Sequence, residues 1–213
     1  MSPVCPPGMV CDSCNQYFGV KVENPALSSF PFLPMRTFMS VPTKKGRMPS
    51  LPTAGDDLRA AGVPGSFTVN VGDRLYSRYK ASQTCLSIIL AKVTEPLALC
   101  RLLLKAGLEM LAKHAYDVAT SDRMKAARTF ARYPKRGTKW WFGLHCDPEL
   151  LTDAMQWPGK YPSELRLFDT YGGLDARLWL NGLSAIVPLE PEIPPLPELS
   201  EDNPILQLVW ATC

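Results

Sequence analysis

Histidine occurs only twice in the 213 residues, at positions 114 and 145, so imidazole acid–base chemistry has little material to work with. The chain has no G-x-S-x-G nucleophile elbow, no G-x-x-x-x-G-K-[ST] phosphate cradle, no G-x-G-x-x-G and no H-E-x-x-H. Long apolar runs are also missing. The longest, Leu97 to Leu104, is interrupted by Arg101 and ended by Lys105, well short of the roughly 20 residues a bilayer span needs. The first residues carry no basic head or apolar segment, which reads against a secretory leader. Ser2 stands where N-myristoylation requires glycine. A 46% hydrophobic and 20% charged composition excludes a collagen-like, coiled-coil or largely disordered chain.

Seven cysteines, at 5, 11, 14, 85, 100, 146 and 213, are odd in number and too sparse for a disulfide scaffold. With no leader expected, a reducing compartment, cytosol or nucleus, follows. Cys11-Asp12-Ser13-Cys14 is a C-x₂-C knuckle with Cys5 upstream, and His145-Cys146 is the one further nitrogen–sulfur pair. Zinc takes thiolate and imidazole ligands in a tetrahedron, so Cys5, Cys11, Cys14, His145 and Cys146 form a candidate zinc set. The same His145 and Cys146 would be the centre of a cysteine- or zinc-dependent enzyme, the alternative to a binding protein. No other cofactor is expected.

Proline divides the chain. Ten of 21 prolines fall in residues 1–64, six in 188–204 and five between. Because proline lacks a backbone donor and fixes φ, this predicts an irregular N-terminal arm (1–65), a globular body (66–187) and a proline-rich acidic tail (188–213). Apolar residues such as Phe18, Phe32 and Met39 require part of 17–40 to lie over the body, in extended form, with 42–56 exposed.

Inside the body, Phe67, Val69 and Val71 alternate with polar residues and predict a strand. Residues 74–93 fit a helix or a strand. Leu97, Cys100, Leu104, Leu108, Leu111, Ala115 and Val118 recur at three- and four-residue steps and predict a helix over 95–118, capped by Thr94, with Arg101, Lys105, Glu109 and Lys113 along another face. A second helix, 121–133, is expected to bury Met124, Ala127 and Ala131, and a third covers 148–157 with Asp147 as cap. Asn181-Gly182 marks a turn. The fold class expected is mainly α within α+β: a compact helical body with a few short strands and proline-rich irregular arms.

Charge is unevenly spread. Residues 101–139 hold ten Lys/Arg against three acids, and residues 188–213 hold five acids and no base. Arg123, Lys125, Arg128, Arg132, Lys135, Arg136 and Lys139, followed by Trp140 and Trp141, combine phosphate neutralisation with aromatic stacking, the pattern of an RNA- or DNA-binding surface or another polyanion site. An anionic membrane surface is the less favoured partner. The acidic tail could also fold onto this basic face and mask it. In the tail, Pro188, Pro191, Pro194 and Pro197 recur every third residue, and Pro194-Pro195-Leu196-Pro197 suits a proline-reading protein domain. An equally weighted reading makes this stretch a spacer that returns Ile205 to Trp210 to the body. Proline-dense arms, scattered cysteines, split charge and missing catalytic signatures describe a non-enzymatic regulatory or structural interaction protein, a composition shared by compact viral accessory and matrix-like proteins.

Overall fold

A computed structural model describes residues 11–43, 45–53, 56–62, 67–70, 93–147 and 149–213, apart from 151–152, 155–156, 158–159, 162, 171 and 204. The ambiguous 74–93 segment therefore lies outside the described residues, except at its end, as do Cys5 and Cys85. Three short helices come first: α1 (Asp12–Phe18), continued by a π-helical turn (Gly19–Glu23) into α2 (Asn24–Leu27), and then α3 (Phe32–Phe38). Strands β1 (Ser50–Thr53), β2 (Asp56–Ala60) and β3 (Phe67–Asn70) form an antiparallel meander. Helices α4 (Pro96–His114), α5 (Tyr116–Thr120) and α6 (Lys125–Arg132) follow, then β4 (Lys139–Cys146), β5 (Glu164–Thr170), β6 (Gly173–Leu180), β7 (Leu183–Pro188) and β8 (Leu206–Thr212).

The last five strands pair antiparallel in the order β5-β6-β7-β4-β8. A mainly helical body with a few short strands is thus the wrong description. The protein is α+β, with a substantial antiparallel sheet. Its inner strand β4 escaped the sequence reading because it is covered on both faces, which removes the polar–apolar alternation of a half-exposed strand. The arms differ from expectation as well. Residues 12–27 and 32–38 are helical rather than extended, with Phe18, Val22, Ala26, Phe32 and Met35 buried, and 50–53 is a strand.

Helix α4 lies across one face of the sheet. Leu99, Leu103, Leu104 and Leu111 meet Trp140, Phe142 and Leu144 of β4, Ala176 of β6, Ala185 and Val187 of β7 and Ala211 of β8 in one core. The approach is close enough that a β-carbon on Gly107 would stand 2.6 Å from the Ala176 β-carbon. The periodicity that predicted one helix to 118 is broken at Ala115, which adopts φ −148° and lets α5 start in a new direction. Thr94 is not the cap; Glu95 occupies that position without a side-chain bond. The β6–β7 turn is the one expected, with φ of 44° at Asn181 and 88° at Gly182, the paired positive values of a tight hairpin.

Arg101, read from sequence as one of four charged residues along a second face of the helix, is 7% exposed. Its guanidinium donates from Nε to the Ala131 carbonyl (2.8 Å), and from one terminal nitrogen to the Arg132 carbonyl (2.7 Å) and the Tyr17 hydroxyl (2.9 Å). Tyr17 in turn donates to the Arg132 carbonyl. No carboxylate among the described residues pairs with Arg101; the negative end of the α6 dipole takes that role. Arg101→Met leaves the buried Ala131 carbonyl without this donor and the Arg132 carbonyl with the Tyr17 hydroxyl alone, and should cost about 2–4 kcal/mol in chemical denaturation, against about 1 kcal/mol for Tyr17→Phe. Equal and small losses for both would show that the guanidinium does not hold this junction.

Candidate polyanion-binding groove

The basic helix and the turn after it enclose a groove of about 520 Å³ lined by Asp122, Lys125, Ala126, Thr129, Phe130, Pro134, Lys135, Thr138, Lys139, Trp140 and Pro191. α6 is built to present it. Met124, Ala127, Phe130 and Ala131 are buried and fix the helix on the core, which leaves Lys125, Ala126 and Thr129 on the outer side. The floor is Phe130 against Trp140, with ring centroids 5.3 Å apart. The turn is tied down rather than loose. Gly137 N–H donates to the Cys213 carbonyl (2.7 Å), Cys213 N–H donates to the Thr138 carbonyl (3.1 Å), and the Thr138 hydroxyl donates to the Lys135 carbonyl (2.6 Å). Three lysine ammoniums therefore face one carboxylate, from anchored backbone.

The nine basic and aromatic residues singled out by sequence divide sharply. Lys125, Lys135 and Lys139 line the groove, are exposed, and form no ion pair among the described residues. Arg136 is exposed in the turn beside them. Arg123 is held by Glu190 through two parallel bonds, 2.8 Å from Nε and 2.7 Å from a terminal nitrogen. Arg128 is spent on the Ala119 and Ser121 carbonyls at the end of α5. Arg132 lies over the Tyr133 ring, 4.9 Å from its centroid.

Trp140 and Trp141 are corrected outright. They are 5% and 3% exposed and donate their indole N–H groups to the Pro188 carbonyl (3.0 Å) and the Ile193 carbonyl (2.7 Å), so neither ring is free to stack on a base or enter a membrane. Consecutive strand residues point to opposite faces, which sends Trp140 toward α4 and Trp141 beneath the tail.

The tail crosses that second face. Pro188 ends β7 and is fully buried, Ile193 is buried, and Leu199 lies over Gly143, where a β-carbon would come within 2.6 Å of its side chain. Pro191, Pro194, Leu196 and Pro197 are exposed and Pro195 is half-buried. Residues 206–212 then return to the body as β8, paired to β4 from Lys139↔Thr212 to His145↔Leu206.

Of the candidate zinc set, Cys5 lies outside the described residues. Among the described residues no group of three or more His, Cys, Asp or Glu side chains is placed to hold a metal. Cys11 and Cys14 open α1, near Arg132. His145 and Cys146 sit at the other end of β4 from Lys139, roughly 23 Å along the strand at about 3.3 Å per residue. These two are also poorly matched to each other. Cys146 points into the core, where burial raises its thiol pKa, while His145 lies on the opposite face in a cleft with Trp179, Arg166 and Ser184. Neighbours on a strand cannot converge, so the proposed His145–Cys146 centre has no shared site.

The chain matches no protein-family model, and comparison with curated proteins and with solved structures found no match. Among the described residues no helix is long and apolar enough to cross a membrane.

Glu190 was absent from the sequence reading of the basic surface, although the idea of an acidic tail on that surface contained it. Its carboxylate also accepts from the Leu174 N–H (2.8 Å), and Arg123 beside it holds its pKa below the ordinary glutamate value of 4.5. A carboxyl lowered in the folded state stabilises above its unfolded value, and that contribution is lost as pH falls through the lowered one. Carboxyl-detected NMR titration should place Glu190 below the other exposed glutamates, and Arg123→Gln should bring it back up. An unmoved Glu190 in that variant would assign the shift to the backbone bond alone.

Proposed function

We propose that the protein is a non-enzymatic interaction protein of the cytosol or nucleus whose Lys125–Lys135–Lys139 groove binds the phosphate backbone of RNA or DNA. What carries this reading is the arrangement of three exposed lysines, without an ion pair among the described residues, from two anchored elements around one groove, while Arg123 and Arg128 are engaged elsewhere. Ammonium groups act as point charges toward phosphate and do not select a base, and both tryptophans of this region are buried, so binding is expected to be insensitive to sequence.

Each neutralised phosphate contributes about 0.9 to the salt slope on duplex DNA and about 0.7 on a single strand, so the three lysines together supply about 2 to 3. Lys125→Glu/Lys135→Glu/Lys139→Glu should remove that part of the slope in fluorescence anisotropy across a salt gradient, with stability changed by less than about 1 kcal/mol because all three positions are exposed. Retained salt-sensitive binding in the triple variant would assign any affinity to another surface. Preference for anionic vesicles over RNA and DNA would favour the membrane reading instead.

A second reading concerns the tail, where Ile193 and Leu199 anchor a segment whose Pro194, Leu196 and Pro197 face solvent. Anchoring on both sides lowers the ordering cost of binding, which supports capture by an aromatic-grooved, proline-reading domain. A tail-binding domain of that type should lose affinity by about tenfold or more, or about 1.4 kcal/mol, when Pro194, Leu196 and Pro197 become alanine. Absence of binding to a panel of such domains at millimolar concentration would leave the segment a spacer.

A further inference from the structure

Cys11 and Cys14 have no part in the groove or in the tail, yet they are the closest thiol pair among the described residues. Their sulfurs are in direct contact, 2.6 Å apart. Cys11 is exposed at the start of α1, and its sulfur faces the Ser13 hydroxyl at 3.2 Å and accepts from the Cys14 N–H at 3.3 Å. The other described cysteines contrast with this. Cys100 is fully buried, Cys146 is buried, and Cys213 donates its thiol to the Pro134 carbonyl.

We propose that Cys11 and Cys14 are a redox-active dithiol that closes to an intramolecular disulfide by exchange with a small disulfide of the glutathione type. The Cys11 thiolate attacks one sulfur of the reagent, a Cys11–S–S–R bond forms, and the first thiolate leaves and takes up a proton. Cys14 then gives up its proton, its thiolate attacks the Cys11 sulfur, and the second reagent thiolate departs. Two protein thiols are oxidised, one reagent disulfide is reduced to two thiols, and no other oxidant is needed. Cys11 is exposed and Cys14 half-buried, so the two sulfurs differ in role, Cys11 attacking and Cys14 resolving. Exposure lets the reagent reach Cys11, and contact between the sulfurs makes the second step intramolecular.

The test uses the full chain, purified with reductant and assayed for zinc, then equilibrated with glutathione buffers of increasing oxidised fraction. Free thiols are trapped by alkylation and mapped by mass spectrometry. The wild type should lose two alkylatable thiols together, at Cys11 and Cys14, with the mass of two hydrogen atoms lost and no lasting adduct. Cys14→Ser should stop at one glutathione on Cys11, and Cys11→Ser should leave Cys14 alkylatable. The proposal is overturned if Cys11 and Cys14 stay alkylatable at full oxidation, if either links instead to Cys5, or if the purified chain holds stoichiometric zinc that must be chelated before exchange.

Discussion

Arg101 sits in the middle of a helix whose neighbours are leucines, and its charge is met by carbonyl groups and one phenol rather than by a carboxylate. A buried guanidinium costs several kcal/mol in lost hydration, and it is kept only where its donors are well placed. The carbonyls at the end of α6 are suited to this. They have no intrahelical partner, and they carry the negative end of the helix dipole. The same Tyr17 that bonds Arg101 belongs to α1, so one side chain fixes the end of α6, the centre of α4 and the first helix relative to each other. The turn bearing Lys135 leaves from that fixed end. Without Arg101, the direction in which the chain leaves α6 would depend on the backbone and the single Tyr17 bond.

A second fastening acts from the far side of the sheet. Two consecutive residues of β4 point in opposite directions: Trp141 donates its indole proton to the tail at Ile193, while Trp140, on the α4 side, donates to Pro188 where β7 hands over to the tail. The tail is thereby part of the sheet's packing instead of a separate arm. Its return as β8 places Cys213 against the basic turn, where backbone bonds to Gly137 and Thr138 hold that turn in place. The groove consequently draws on α6, β4, the turn and the tail at once, and its lysines project from backbone that is hydrogen-bonded on both sides.

Parts of this were legible in the sequence. The leucine periodicity of α4, the alternation at Phe67–Asn70, the Asn181-Gly182 turn and the inner line Met124, Ala127 and Ala131 all reflect local rules that the fold obeys. The inner strand 139–146 was hidden because it is buried on both faces and then has no polar alternation to reveal it. Of the candidate site, the lysines were identified and the tryptophans were misplaced. A pair of adjacent aromatics after a basic run fits both a stacking surface and a two-sided strand, and only the partner strands β7 and β8 decide between them. The four-residue charge repeat placed Arg101 on a second face of the helix, but such a repeat does not say what covers that face.

The arginines and lysines of this region also obey different rules, and that difference shapes the site. A guanidinium presents several donors in a fixed plane, so the fold uses Arg101, Arg123 and Arg128 to satisfy carbonyls and a carboxylate. An ammonium on a flexible stem is better left in water, and among the described residues the lysines form no ion pair at the rim. Their mutual repulsion is cheap. Two unit charges about 8 Å apart in water cost about half a kcal/mol before salt screens them. Pairing one lysine with one exposed carboxylate would return little more than that, which is why an isolated ion pair is a weak reason to assemble such a groove. A ligand with closely spaced phosphates gains differently, by releasing counterions that its own charge density has condensed, and this gain grows with every further ammonium it meets. Three lysines on one groove are therefore worth more to a polyanion than to any single acidic side chain.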